Sequence, residues 1–353
     1  MSIVMKPACV YPSYEIKQED MITVLKDLYP YHPKWSLIER MIKNTNVSKR
    51  NLVKPIDEII IHSGLESRNN IYKKEALKLS KTAALEALNN ANLSSKDIDL
   101  IIVTSCTGFM MPSLTAYLID LLEMKPSTKQ LPVSQLGCVA GAWAINRAYE
   151  YTQLYPTHNV LIVSVEFSSL VFQPTDHKLA SLISYSLFGD GVTACVIKGQ
   201  VEKGDVGFQV IDTKTFTKPK SQHYITYDYK NTGMHFSLDK DVMHSIVDVA
   251  PIMEVLSKES LAKKIKNLDF YVFHTGGRKI LDELTKHLLL EEKSVEQSRK
   301  SLDEQGNIAS CVIFDVLNRE FESDNRKNND LGCIAAFGPG FTAEMCIGKW
   351  IKN

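Results

Sequence analysis

The chain has 353 residues, 44% hydrophobic and 23% charged, with 41 Lys and Arg balanced by 41 Asp and Glu. That length and apolar content predict one large α/β domain or two domain-sized units, and exclude disordered and collagen-like chains. Zero net charge argues against a protein that lives on nucleic acid, though a local basic patch can still hold a small polyanion.

In chain order, Met1–Tyr14 carries two prolines and no apolar h-region, so no signal peptide is read there. Seven cysteines, none in a C-x-x-C pair, fit neither a disulfide framework nor a zinc cluster, and the cytoplasm is the expected compartment. Helical periodicity over 72–92 leads into an apolar strand at 98–104. The charge-free run from Ile101 to Ile119 is broken by Thr104, Ser105, Gly108 and Pro112, which predicts a buried strand and loop, not a membrane span. Small residues and a helix follow over 134–151, then a Gly turn entering a strand over 187–197.

Beyond a boundary near 200–210 the series repeats. A helix over 242–263, kinked at Pro251, leads into a strand over 268–273; small residues and a helix follow over 307–321, then a second Gly turn and strand over 336–347. The segments after the two strands also match, SCTG at 105–108 and HTGG at 274–277, and Cys138 with Asn146-Arg147 is echoed by Cys311 with Asn318-Arg319. Such order predicts an internal duplication, residues 1–205 and 206–353. The segments 213–235 and 322–331 are expected to be loops.

Three side chains stand out for chemistry. Cys138 follows Gly137 and opens an apolar helix, where the positive end of the dipole favours thiolate and small neighbours admit a carbonyl. His274 ends a buried strand at Thr-Gly-Gly, and Asn307 follows Gly306 before Ile-Ala-Ser-Cys. Singly, each also reads as a structural residue: a buried thiol, a hydrogen-bonded core histidine, a turn or cap.

Together, Cys in GCVAG, His in FHTGGRKIL, Asn in GNIAS and a closing FGPG turn, in that order, resemble the chalcone synthase-like type III polyketide synthases of the thiolase superfamily. The resemblance covers residues 10–350. It implies an α/β, five-layered αβαβα thiolase-like fold built from two αβα halves, and an acyltransferase that extends a primer with malonyl-CoA by decarboxylative condensation and cyclises it to a resorcinol, phloroglucinol or pyrone. Cys138 then matches the nucleophile that carries the acyl chain. His274 and Asn307 match the pair that binds the malonyl thioester carbonyl and stabilises the enolate left by CO2 loss. Phe188 matches the aromatic beside the malonyl carboxylate, and Phe236 a second gatekeeper. Lys49 and Arg50 match the CoA-phosphate region loosely, and Lys279 the pantetheine contact. Met111 matches the residue that crosses a homodimer interface. No metal or cofactor beyond the CoA thioesters is implied.

Neighbouring activities fit less well. The His-Gln-Ala-Asn stretch of initiating ketosynthases is absent, and Cys333 and Cys346 flank the closing turn outside a thiolase motif. No glutamate announces itself in the role that a hydroxymethylglutaryl-CoA synthase requires. A single-step ketosynthase and a non-catalytic acyl binder are the alternatives. The chain departs from the chalcone synthase pattern at Ala336, Thr275 and three cavity positions, Leu170, Tyr227 and Ala309. These changes predict a more apolar pocket and an aliphatic acyl primer. The Lys/Asn/Ile-rich surface is similar to the type III domains of steely hybrids, in which a primer arrives on an acyl carrier protein.

Overall fold

The computed structural model describes residues 2–61 and 64–352. The chain opens with β1 (Ile3–Val4), β2 (Ala8–Val10), β3 (Tyr14–Lys17), α1 (Gln18–Leu28), α2 (Trp35–Lys43), β4 (Lys49–Leu52) and the short α3 (Ile56–Ile59). The first repeat is α4 (Gly64–Asn90), β5 (Ile98–Thr104), α5 (Leu114–Leu121), β6 (Lys129–Val133), α6 (Ala140–Leu154), β7 (Asn159–Phe167), α7 (Leu179–Leu187) and β8 (Asp190–Lys198). A long strand β9 (Val206–Thr217) and a hairpin, β10 (Ile225–Lys230) and β11 (Gly233–Leu238), follow. The second repeat is α8 (Ile246–Leu261), β12 (Phe270–Phe273), α9 (Arg278–Leu288), α10 (Glu296–Gln305), α11 (Val312–Glu322), β13 (Leu331–Gly338) and β14 (Thr342–Lys352).

The strand order β12-β13-β14-β9-β1-β8-β7-β5-β6 carries the duplication. In the first half β5 runs parallel to β7, which is antiparallel to β8. In the second, β12 runs parallel to β13, which is antiparallel to β14. The two-residue β1 bridges the halves by pairing with both β8 and β9.

Alternation along the strands builds the layers. Ile101 and Val103 face a core beneath α4, whereas Leu100 and Ile102 face α6 and α11. In β13, Ile334 and Ala336 face that same central helix pair, and Cys333, Ala335 and Phe337 face α8 and α9. The outcome is α4, sheet, α6 with α11, sheet, and α8 with α9: five layers. The middle layer is covered on both sides by sheet, so the first half of α6 is built mostly of small and apolar residues, with Ala142, Ala144, Ile145 and Ala148 inaccessible to water.

Two segments differ from expectation. Residues 213–217 complete β9, and 225–238 form a hairpin in place of a loop. The alternation of Tyr227, Tyr229, Met234 and Phe236 with charged and polar residues is present in the chain but short, and pairing adds the register, Tyr227 opposite Phe236 and Tyr229 opposite Met234. Helix α4 begins well before residue 72, its polar first turns held by tertiary bonds from buried Arg68 to the carbonyls of Leu170 and Ile59. Among the described residues no helix is long and apolar enough to cross a membrane.

Candidate active site

Each repeat delivers one 3-10 turn into the central layer, Gly137–Val139 before α6 and Ala309–Cys311 before α11. The first carries Cys138. Its backbone requires Gly137, which has φ +55° and whose added Cβ would stand 2.9 Å from Pro339 in the closing turn of the other half. Gly338 of that turn is as tight, since a Cβ there would lie 2.8 Å from the Val139 nitrogen. The FGPG turn thus buttresses the turn that carries Cys138. Cys311, the counterpart thiol, is buried and donates to the carbonyls of Ser164 and Gly191, both at 3.3 Å, which is a structural role.

His274 continues β12 on the face of Phe270 and Val272 and therefore enters the central layer. Asn307 reaches it through a parallel bridge with Phe188: Asn307 N–H donates to the Leu187 carbonyl at 2.9 Å, and Gly189 N–H to the Asn307 carbonyl at 3.1 Å. The same bridge sets Phe188 at the edge of the site. Phe236 of the hairpin packs edge-on to Phe188 with ring centroids 5.3 Å apart, and Tyr227 lies 5.6 Å from Phe236.

Hydrogen bonds orient the Asn307 amide. Its Oδ1 accepts from Ala309 N–H at 2.9 Å and lies 3.3 Å from His274 Nε2. With Oδ1 so committed, His274 is assigned its proton on Nε2, and the Asn307 NH2 is left to bond the Cys138 sulfur. Ala309 takes φ +48° to aim that N–H, in a position where a larger residue would be strained. The result is an Asn307 amide fixed between the His274 ring and the Cys138 sulfur, polar donors of the kind suited to an oxyanion or enolate.

Electrostatics correct one expectation. Burial pushes the Cys138 thiol up to about 12, with the Glu166 carboxylate adding to the shift and the Asn307 bond opposing it. Burial pulls the His274 imidazole down to about 4. On these shifts the thiol and the imidazole both rest uncharged, because the fractional charge of a helix end does not outweigh desolvation even though Cys138 is only partly covered.

Glu166, at the end of β7, is the site residue that sequence reasoning missed. Fully buried, its Oε2 accepts from Cys106 N–H at 3.1 Å, Cys106 Sγ at 3.3 Å and Thr107 Oγ1 at 3.2 Å, and its Oε1 from Ser310 Oγ at 2.5 Å. Burial raises its carboxyl to about 7 despite those four bonds. Cys106 also bonds Tyr227 and lies within electrostatic reach of Cys138, so a second thiol stands beside the site. The signal was the SCTG segment after β5, which was read only as a mark of duplication.

Other expected site residues fall outside this cluster. Arg50 does not form a basic mouth: it is fully buried, because Gln18 and the Tyr185 carbonyl take its guanidinium at 2.7 and 3.3 Å. Leu170 packs in the core beneath α4 with Phe167 and Val192, and its neighbours Val171 and Phe172 line the chamber instead. Lys49 lies on the surface in an ion pair with Glu15 at 2.7 Å, and Lys279 is exposed in the first turn of α9. Met111 is 96% exposed.

A five-layered duplicated fold with Cys, His and Asn converging in its middle layer is that of the thiolase-type condensing enzymes. Residues 16–200 match the family model "Chalcone and stilbene synthases, N-terminal domain", and residues 209–351 the corresponding C-terminal domain. The chain belongs to the chalcone and stilbene synthase family: it is a type III polyketide synthase, an acyltransferase of the decarboxylating Claisen type. Among relatives, it is 54% identical to the phloroglucinol synthase of Pseudomonas fluorescens over 99% of both chains. It is 42% identical to the 1,3,6,8-tetrahydroxynaphthalene synthase of Streptomyces griseus, over all of this chain and 94% of that one. The crystal structure of the Streptomyces coelicolor tetrahydroxynaphthalene synthase superposes with a TM-score of 0.96 at 41% identity, over 99% of this chain and 100% of that one. The type III domain of Steely1 from Dictyostelium superposes with a TM-score of 0.91 at 22% identity over 99% of both chains, a likeness of fold alone.

Proposed function

We propose that the enzyme loads a starter on Cys138, extends it with malonyl-CoA and closes an unsubstituted phenolic ring of the phloroglucinol type. The observation that carries this is the fixed Asn307 amide, which links the His274 ring to the Cys138 sulfur. In this reading the thiol, uncharged at rest, gives up its proton as it attacks the starter thioester, the departing CoA thiolate takes the proton up, and His274 Nε2–H stays a donor throughout. That donor and the Asn307 NH2 then stabilise the enolate that malonyl leaves on losing CO2, while the apolar Phe188 face favours the neutral CO2 over the carboxylate. The work divides between residues 1–205, carrying the nucleophile, and 206–353, carrying His274 and Asn307, a division supported by the mirrored strand orders.

The products named for the relatives argue for a small starter. Phloroglucinol and tetrahydroxynaphthalene bear no alkyl chain, and an aliphatic primer would leave one on the ring. A second reading, an aliphatic primer and an alkylated product, rests on the apolar lining of a small cavity of about 40 Å3, formed in part by Leu52, Ile59, Val171 and Phe172. The substrates are CoA thioesters, or a carrier-protein thioester for the primer; Lys49 and Lys279 are proposed to receive the CoA, and Met111 to line a homodimer interface.

Labelled malonyl-CoA, alone and with hexanoyl-CoA or coumaroyl-CoA, followed by product mass, separates the readings. Phloroglucinol from malonyl-CoA alone is expected. An alkylated ring as the main product would favour the second reading, one extension per product a ketosynthase, and no turnover a binding protein.

A further inference from the structure

Helix α7 ends at Leu187, and its last four carbonyls have no following turn to supply their donors. Phe188 N–H closes on the Ser184 carbonyl at 3.0 Å, and the chain then leaves extended, with Phe188 at φ −80° and ψ 139°. The other three carbonyls are met from distant segments. Asn307 N–H donates to Leu187 at 2.9 Å, Gln18 Nε2 to Ser186 at 3.0 Å, and Arg50 Nη2 to Tyr185 at 3.3 Å. Arg50 Nη1 also donates to Gln18 Oε1 at 2.7 Å, which keeps the Gln18 amide turned with its nitrogen towards Ser186. Both side chains come from the β3–β4 pair, in which Arg50 stands opposite Ile16, two residues before Gln18.

The Arg50 stem fills the same corner. A Cβ on Gly189 would stand 3.1 Å from the Arg50 Cβ, and one on Gly306 would stand 3.6 Å from its Cδ. Those two glycines adjoin Phe188 and Asn307 where the two segments bridge. Arg50 is inaccessible to water and both its acceptors are neutral, a costly place for a cation. The negative end of α7 and the field of Asp190 offset that cost. We propose that Arg50 and Gln18 are positioning residues for malonyl decarboxylation, a clamp on the end of α7 that holds Phe188 and the Asn307 amide in place. This rests on the reading that Phe188 and Asn307 serve that step, and extends it to two residues behind them. Cys138 stands apart from the clamp, on the turn buttressed by Pro339. Arg suits the task better than Lys, since its planar fork meets two acceptors at once.

The test compares two readouts in the full-length enzyme. Malonyl-CoA decarboxylation is followed as labelled CO2, and Cys138 reactivity as alkylation by iodoacetamide, located by peptide mass. Arg50→Met is expected to lower the decarboxylation kcat about tenfold or more, with Cys138 alkylation within about threefold of wild type. Gln18→Leu should act in the same sense, and the double variant should lose no more than Arg50→Met alone, because the two residues form one unit. Arg50→Lys should recover part of the rate. A folded Arg50→Met enzyme with the wild-type kcat overturns the proposal. So does an equal fall in alkylation, which would mark a general loosening of the layer. Should Arg50→Met fail to fold, Gln18→Leu decides, and an unchanged kcat there overturns the clamp. Asn307→Ala is assayed in parallel. If it decarboxylates like wild type, the reading of the site itself falls; if it is impaired while Arg50→Met is not, only the clamp falls.

Discussion

At the scale of single residues, two groups sit far from their ordinary titration range for the same reason, exclusion of water from the middle layer. Removing Cys138 should leave the other half of the chemistry standing. Cys138→Ala is expected to abolish starter loading, seen as loss of the acyl mass shift, yet to retain slow malonyl-CoA decarboxylation by His274 and Asn307, seen as labelled CO2. His274→Gln should lower condensation by a hundredfold or more, the usual scale for one such donor. His274 also gives a pH signature with a definite sign. Its imidazole stays neutral in the fold down to about 4 but charges near 6.5 when unfolded, so the unfolded chain binds more protons between those values. The histidine's contribution is whole above pH 6.5 and is lost as pH falls towards 4. Glu166, raised to about 7, acts in the opposite sense, costing stability as pH rises from about 4.5 to 7. The two offset each other in wild type, so the check is the difference. Between pH 6.5 and 4, wild type should lose about 3 kcal/mol relative to His274→Gln in denaturant melts.

At the scale of elements, the placement of Cys138 depends on a turn from the other repeat. Gly137→Ala puts a Cβ at a left-handed φ and 2.9 Å from Pro339. It is expected to cost about 1–3 kcal/mol in urea unfolding and to slow loading more than decarboxylation, because it shifts the thiol and spares the His274–Asn307 pair. If loading and decarboxylation fell together, the turn would be supporting the whole layer instead. The hairpin makes the complementary point. Its period-two pattern, with Asp228 and His235 as paired polar positions, is short, so only pairing and the site beneath it reveal that Tyr227 and Phe236 share a face. By contrast the strands 98–104 and 268–273 were legible, because a continuous apolar run needs no partner to be recognised.

At the scale of the whole molecule, the exposure of Met111 bears on assembly. A 96% exposed methionine beside a half-exposed Phe109 is an unusual apolar surface for a monomer. Light scattering at micromolar protein is expected to give a dimer, and Met111→Lys to shift it towards monomer; a wild-type monomer would remove Met111 from any interface.

By itself the sequence determined the duplication, the two apolar strands and the Cys138, His274 and Asn307 set, because periodicity and short-range spacing are properties of the chain and survive without a fold. It could not determine that Arg50 is interior, that Glu166 and Cys106 stand beside Cys138, or that the thiol rests uncharged. Those depend on which distant segments meet: β4 against Gln18 and Tyr185, and the ends of β5 and β7 against Ser310. Charge states and burial follow from desolvation, and desolvation is set only when the two halves close their sheets over the middle helices.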